Sequence, residues 1–198
     1  SCRMEGLKQV QPAVVDRCGK VQVTLKLDAA CPPGAASGAD VLLVIDTSLS
    51  MHSQGRMPGA RDAAGRFLAG LDLRYHRLGV VTFHGTARVA QPLTTDRAKL
   101  EAVIQGLTPE DSGTNIHAGL RVAADHQRDA GRPDALPVII LLSDGEPILP
   151  LAPEPATAAL VAAERARARR TYIVTVGLGK FIDSLVLTGI ASSPQDFY

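Results

Sequence analysis

The sequence predicts an α/β domain in which a mostly parallel sheet is covered by helices on both faces. Two segments, Val41–Ile45 and Val138–Leu142, are uninterrupted runs of β-branched and leucine residues. Such runs are typical of strands buried on both faces, as the strands of parallel sheets are. Segments with apolar residues at helical spacing lie between and after these runs. This alternation of strand and helix predicts the α/β class.

The composition excludes several classes of protein. The 198 residues carry 21 basic and 20 acidic side chains, a formal charge of +1, whereas nucleic-acid-binding domains usually have a clear basic excess. Aromatic residues make up only 4% and tryptophan is absent, which disfavours a stacking platform for bases. The longest apolar runs are shorter than the roughly 20 residues that cross a bilayer. We therefore expect neither nucleic-acid binding nor membrane insertion.

The first 38 residues are predicted to form a β-hairpin and a linker. Val21–Leu27 alternates apolar and polar side chains, which indicates a strand with one buried face. Leu7–Val15 can pair with it in antiparallel fashion through a short turn. Residues 31–38 read CPPGAASG, a composition typical of linkers. The domains predicted are thus the hairpin and linker at 1–38 and an α/β domain at 39–198.

All three cysteines lie in this first segment and lack the short paired spacing of a zinc site. Cys18 and Cys31 flank one extended strand, so they would lie roughly 40 Å apart, too far for a disulfide. The hairpin would instead bring Cys2 close to Cys31. We predict a Cys2–Cys31 disulfide and a free Cys18. Three reduced thiols in a cytosolic protein are the alternative.

Short apolar runs predict the strands of the second domain. Ala87–Ala90 follows a turn at Gly85 and is expected at a sheet edge. Phe197 and Tyr198 have the composition of a further strand. The other expected strands are Val41–Ile45, Leu78–Phe83, Val138–Leu142 and Tyr172–Val176.

Apolar residues three and four positions apart predict five helices. The first has Pro58 in its first turn, where proline is favoured. The second begins near Asp96 and the third near Thr114. The fourth, Ala156–Arg170, ends in an arginine-rich run, and the fifth is Phe181–Ile190. We expect solvated helix faces to carry the basic side chains of the fourth helix and those of Arg56, Arg61 and Arg66.

Oxygen-bearing side chains follow the two most apolar strands. Asp46, Ser48 and Ser50 occupy alternate positions after the first, and alternate side chains of an extended segment point to the same side. Asp144 follows the second strand, and Thr114 precedes the helix between them. Ligands of open α/β sheets bind beyond the carboxyl ends of the strands. These five side chains are therefore the candidate site.

Donor sets made of oxygen alone favour a hard cation, Mg²⁺ or Mn²⁺ and also Ca²⁺, over zinc. Neutral hydroxyls next to the metal leave it strongly electrophilic, and two carboxylates can balance its charge. Such a cation seeks a further anionic oxygen. The natural source is an Asp or Glu of a partner protein.

This pattern resembles the von Willebrand factor type A domain with its metal-ion-dependent adhesion site. The family's D-x-S-x-S motif matches at Asp46, Ser48 and Ser50, its threonine at Thr114 within SGTNIHAGL, and its aspartate at Asp144 within LLSDGEP. The resemblance implies that Ser48, Ser50 and sometimes Thr114 contact the metal directly. Asp46 and Asp144 are then expected to act through water.

The resemblance covers about Asp40 to Tyr198 and implies a Rossmann-like, doubly wound sheet with one antiparallel edge strand, Ala87–Ala90. Leu49 is a departure, since many members have glycine there, and it is expected to lie near the metal. We also expect the family's final strand and helix to be either missing or displaced into a part of the protein outside this sequence. The hairpin weakly resembles strands that precede such domains in bacterial surface proteins.

The resemblance implies a non-enzymatic, metal-dependent adhesion module outside the cell, which binds an acidic residue of a protein or matrix ligand. The alternative is an intracellular scaffold that docks an ATPase or chelatase-type complex through the same site. The state of the cysteines discriminates between them. An enzyme is not expected, because Asp46 lacks the second aspartate of aspartyl-phosphate chemistry and neither Ser48 nor Ser50 lies in a G-x-S-x-G elbow.

Overall fold

The structure is a computed structural model and describes residues 3–11, 22–30, 38–144, 148, 154–179 and 182–198. The chain divides into two compact units, Ser1–Ser37 and Gly38–Tyr198. The assignment of these parts as the predicted domains stays a prediction.

The first unit contains strands β1 (Arg3–Gln11) and β2 (Gln22–Ala30), which pair in antiparallel fashion. Arg3 is opposite Ala30, so the paired strands reach further toward the chain start than the predicted Leu7. The three cysteines lie outside the described residues. The Cys2–Cys31 disulfide therefore stays a prediction.

The second unit is built on a five-stranded sheet of order β5-β4-β3-β6-β7. β5 is antiparallel to β4, and the remaining neighbours are parallel. This confirms the predicted fold class, with β5 as the antiparallel edge strand. The strands are β3 (Ala39–Asp46), β4 (Arg77–Phe83), β5 (Ala87–Thr94), β6 (Leu136–Ser143) and β7 (Tyr172–Gly177).

Five α-helices surround the sheet, and four of them begin where a polar side chain caps free backbone N–H groups. The caps are Asp96, Asn115, Glu154 and Asp183. The helices are α1 (Arg56–Gly70), α2 (Arg97–Gln105), α3 (Ile116–Ala130), α4 (Pro155–Ala168) and α5 (Ser184–Ile190), with a 3-10 helix at Leu49–Gly55. None of the helices in the described part of the chain is both long and apolar enough to cross a bilayer.

The central strand β3 buries side chains on both of its faces. Leu42 and Val44 belong to one core cluster together with residues of α3, α4 and α5. Val41, Leu43 and Ile45 alternate with them, point to the opposite face and are equally buried. This two-sided burial is what the uninterrupted apolar run predicted.

The carboxyl ends of β3 and β6 are adjacent. Ile45 is the register partner of Leu142, so Asp46 and the residues after Leu142 meet at one sheet edge. β3 lies between β4 and β6, and the chain leaves it toward one side and later returns on the other. The candidate site therefore lies at a topological switch point, where ligands of such sheets bind.

The chain end pairs with the outer edge of β7. Phe197 forms a parallel bridge with Thr175, and Tyr198 N–H donates to Thr175 O at 2.9 Å. The two residues predicted to begin a further strand thus pair with β7 at an isolated bridge, outside the five strands of the sheet.

Candidate functional site

Asp46 ends β3 and is fully buried. Its Oδ1 accepts a hydrogen bond from Ser48 N–H at 2.9 Å, and its Oδ2 accepts one from Ser143 Oγ at 2.8 Å. Burial raises the pKa of this carboxyl to about 6, although the hydrogen bonds from Ser48 and Ser143 act in the opposite direction. The nearby carboxylate of Asp144 also raises the pKa of Asp46. The ionised form of Asp46 is therefore disfavoured in the folded domain, chiefly because the carboxyl is buried.

The two serine hydroxyls of the motif meet and connect both loops of the site. Ser48 Oγ lies 2.9 Å from Ser50 Oγ, and Ser50 Oγ donates to Asp144 Oδ1 at 2.9 Å. Ser48 and Asp144 are buried, whereas Ser50 is exposed. The alternate spacing that predicted convergence is thus confirmed for Ser48 and Ser50.

Hydrogen bonds made by Thr47 and Leu49 hold the loop after β3 in place. Thr47 N–H and Oγ1 both donate to Phe83 O, at 2.7 and 3.1 Å. Thr47 O accepts from Glu110 N–H at 2.8 Å, and Leu49 N–H donates to Asp111 O at 3.0 Å. The loop is therefore fixed to the end of β4 and to the segment before α3, while the Leu49 side chain stays 48% exposed.

Thr114 is buried at the same edge of the sheet. Its carbonyl accepts a 3.0 Å hydrogen bond from Ile148 N–H, which ties the segment before α3 to the segment after β6. The next residue, Asn115, donates its backbone N–H to His84 O at 2.8 Å and caps α3. Thr114 is thus held close to the segments that follow β4 and β6, and its role as a metal ligand stays a prediction.

Arg56 also belongs to this site, which the sequence did not predict. Its Nη1 lies 2.7 Å from Asp144 Oδ2 and 3.2 Å from Ser50 O. Its side chain is only 11% exposed. The expectation of a solvated position was therefore wrong for Arg56, whereas Arg66 is exposed and pairs with Asp62 as a helix-surface residue does.

The position of Arg56 follows from the local backbone. Gly55 has a left-handed φ of 70°, which ends the 3-10 helix and begins α1 at Arg56. The available sequence signal was Gly55 itself, since glycine adopts this conformation without strain. The glycine predicts a turn of the backbone, but it does not predict where the long side chain of the next residue points.

The residues fit a hard divalent cation by the chemistry of their donors. Carboxylates and hydroxyls supply oxygen alone, which suits Mg²⁺ or Mn²⁺. Among the described residues, no three His, Cys, Asp or Glu side chains come together, so a cation here would depend on hydroxyls as well as on Asp46 and Asp144.

Comparison with known sequences identifies a family. The family model described as the von Willebrand factor type A domain matches residues 41–146, more than half of the chain. A curated relative, the UPF0353 protein of Mycolicibacterium paratuberculosis, is 34% identical over 150 residues, which cover 71% of this chain and 44% of that protein. The chain thus spans less than half the length of the curated relatives it matches.

Solved structures with the same fold include a mussel byssus protein and a pilus adhesin. Proximal thread matrix protein 1 from the mussel byssus, with a zinc-occupied MIDAS motif, has a TM-score of 0.67 at 23% identity, covering 83% of this chain and 44% of that chain. The pilus adhesin SpaC from Lactobacillus rhamnosus GG has a TM-score of 0.69 at 18% identity, covering 98% of this chain and 32% of that chain. At these identities the likeness establishes the fold alone.

Proposed function

Because the chain belongs to the von Willebrand factor type A domain family, we propose that it is a non-enzymatic binding module. It uses a divalent cation, Mg²⁺ first and Mn²⁺ or Ca²⁺ also, to bind an acidic side chain of a protein or matrix ligand. The observation that carries this proposal is the relay of hydrogen bonds from Ser48 through Ser50 to Asp144, next to the buried carboxylate of Asp46.

Five residues would hold the cation: Asp46, Ser48, Ser50, Thr114 and Asp144. A bound cation supplies an electrophilic centre for a carboxylate oxygen. Asp46 and Asp144 supply the negative charge that balances it. Asp46 also orients the backbone of Ser48, and Ser143 holds Asp46 in place.

Leu49 supports a role in partner contact. Its side chain is half exposed, although it lies between the two serines of the site. A partner that brings a carboxylate to this edge would cover Leu49, and burial of a leucine side chain contributes about 1.5–3 kcal/mol in favourable cases. The partner surface is therefore expected to combine an acidic residue with apolar neighbours.

We place the module outside the cell, with Cys2 and Cys31 joined by a disulfide. What supports this location is the predicted disulfide, since such bonds persist in oxidising compartments. The alternative, an intracellular scaffold for an ATPase or chelatase-type complex, requires three free thiols. Mass spectrometry after alkylation of the unreduced, denatured protein decides between them, since one alkylated cysteine favours the first and three favour the second.

Metal binding is the primary test. Isothermal titration calorimetry of the metal-free protein with Mg²⁺ and Mn²⁺ is expected to give one site. The Ser48→Ala and Ser50→Ala variants are expected to lose it. Ser53→Ala is the matched control, because Ser53 Oγ donates to Ser50 O from an exposed position outside the relay. Metal uptake that survives both site variants would contradict the assignment.

Carboxylate binding is tested with acetate as the smallest probe and acetamide as its neutral counterpart. With Mg²⁺ present, acetate is expected to shift the amide NMR signals of Leu49 and Gly113, whereas acetamide is not. The shifts should vanish when EDTA removes the metal. Equal shifts with EDTA would overturn metal-dependent recognition.

A further inference from the structure

We propose that Arg56 is a built-in cation that pairs with Asp144 while no divalent ion is bound, and that its displacement sets the metal affinity of the site. This inference rests on the proposed function, since it concerns the same site. It adds a competitor that the family motif does not contain.

The contact geometry places the guanidinium among the residues proposed to hold the metal. Asp144 receives two hydrogen bonds, from Ser50 Oγ on Oδ1 and from Arg56 Nη1 on Oδ2. Arg56 Nη1 also donates to the carbonyl of Ser50 at 3.2 Å. One positive charge is thus held next to Asp144, and a divalent cation would have to share that carboxylate with it.

Like charges repel strongly in a partly buried setting, because screening by water is weak there. The carboxylate of Asp144 cannot bind a guanidinium group and a divalent ion equally well at the same time. Metal binding therefore requires that the ion pair between Arg56 and Asp144 be broken. The affinity measured for the metal is the intrinsic affinity reduced by this competition.

The ion pair has features of a displaceable contact. Arg56 reaches Asp144 through Nη1 alone, and its buried Nε has no hydrogen-bond partner in the described part of the chain. By contrast, Arg77 holds Asp40 with two nitrogens, Nε at 2.9 Å and Nη2 at 2.5 Å. A buried donor without a partner carries a cost, so this position is less favourable than the bidentate pair.

Gly179 makes room for Arg56. Its φ of 116° belongs to the region that side chains rarely adopt, and a Cβ added there would lie 2.9 Å from Arg56 Nε. Gly179 therefore leaves space for the guanidinium group of Arg56 beside the site. The guanidinium can enter this space when the metal is absent and leave it when the metal binds.

The test compares Arg56→Gln with Arg66→Gln, an exposed arginine of the same helix α1. Calorimetric titration with Mg²⁺ and Mn²⁺ is expected to show tighter binding for Arg56→Gln by about tenfold or more, as for typical coupling between two ligands. Arg66→Gln should match the wild type. Arg56→Lys keeps the charge on a shorter group and is expected to fall between Arg56→Gln and the wild type.

Thermal unfolding gives a second readout, and its first comparison is made without metal. In EDTA, Arg56→Gln should melt below the wild type, because Asp144 loses its partner. Saturating metal should then raise its Tm more than that of the wild type. Circular dichroism at low temperature checks that each variant is folded.

The outcomes separate this inference from the proposed function. If wild type and Arg56→Gln bind metal with equal affinity and Ser48→Ala abolishes binding, the competition is overturned and the proposed function stands. If only Arg56→Gln binds metal, the competition is supported in its strongest form. If neither the wild type nor Arg56→Gln binds metal, both the proposed metal site and the proposed competition are wrong.

Discussion

Ser143 donates a hydrogen bond of 2.8 Å from its Oγ to Oδ2 of Asp46, and this bond joins the carboxyl ends of β3 and β6. Both residues are fully buried, although 97 positions separate them in the chain. The pairing of Ile45 with Leu142 places them side by side. The geometry of the site thus depends on the register of the central strands as well as on its motif.

Replacing Ser143 by alanine should destabilise the metal-free domain. The change leaves one oxygen of a buried carboxylate without this donor, and an unsatisfied buried group costs about 1–3 kcal/mol. Urea unfolding in EDTA measures the free energy of unfolding. Ser53→Ala removes a comparable hydroxyl from an exposed position and should change it little. Equal stabilities for the two variants would show that the bond to Asp46 contributes nothing.

The charge of Asp46 should make the stability of the metal-free domain depend on pH. Its pKa is raised from 3.8 to about 6, chiefly by burial, so folding favours the protonated form. The stabilisation by the protonated carboxyl is complete below pH 3.8 and is lost as the pH rises through about 6. The ionised carboxylate then costs up to roughly 3 kcal/mol.

Asp46→Asn removes this titration. We expect its unfolding free energy, relative to that of the wild type, to increase between about pH 4 and pH 7 by up to the same roughly 3 kcal/mol. Urea unfolding of metal-free protein at several pH values measures the difference. Asp62→Asn removes an exposed carboxylate of α1 and serves as the control. Parallel curves for Asp46→Asn would contradict the effect of burial.

Apolar runs and strand order explain why most of the site could be predicted from the sequence. A run such as Val41–Ile45 reports burial on both faces, and the ends of neighbouring parallel strands share one edge. Asp46 and Asp144 were therefore expected together. The length of β5 was less predictable, because Pro92 is tolerated only where the strand lies at an edge, and the edge is a property of the whole sheet.

Arg56 shows what sequence patterns leave out. The spacing of apolar residues correctly predicted that α1 is a helix with one apolar stripe. Such a prediction places every polar residue outside the stripe in contact with solvent. The direction of the Arg56 side chain depends instead on the backbone turn at Gly55 and on the space beside Gly179. Gly179 is far from Arg56 in sequence and lies next to its side chain only in the fold.

A second carboxylate, Asp40, is held at the opposite end of β3 and should matter for stability alone. Burial by itself would raise the pKa of Asp40, but hydrogen bonds from Arg77 and Arg132 hold it below its usual value. The ionised Asp40 therefore stabilises the fold at every pH above the usual pKa of aspartate. This stabilisation is lost as the pH falls through the lowered pKa of the folded state. Asp40→Asn should cost about 3 kcal/mol, since it breaks a buried ion-pair network.

Unfolding in guanidinium chloride at neutral pH measures the loss of stability in Asp40→Asn. Asp72→Asn is the control, because Asp72 pairs with Arg74 at an exposed position. Metal affinity should be unchanged in Asp40→Asn, since Asp40 lies at the amino end of β3. A change in metal affinity without loss of stability would contradict the assignment of Asp40 as structural.

Two glycines should respond in opposite directions to alanine. A Cβ at Gly79 in β4 would lie 2.7 Å from Leu42 Cδ2 and 2.9 Å from Gln91 O, so β3 or β5 would have to move. Overpacking of this kind costs about 1–3 kcal/mol. A Cβ at Gly65 in α1 would meet nothing within 4 Å, and alanine is favoured over glycine inside a helix by about 0.5–1 kcal/mol.

Gly79→Ala should therefore lower the Tm and Gly65→Ala should raise it, as measured by calorimetry in EDTA. Because β4 also holds Phe83, whose carbonyl accepts from Thr47 N–H, a shift of β4 should reach the site. Gly79→Ala is then expected to weaken Mg²⁺ binding, and Gly65→Ala to leave it unchanged. Full metal affinity in a destabilised Gly79→Ala protein would show that the loop after β3 keeps its place independently of β4.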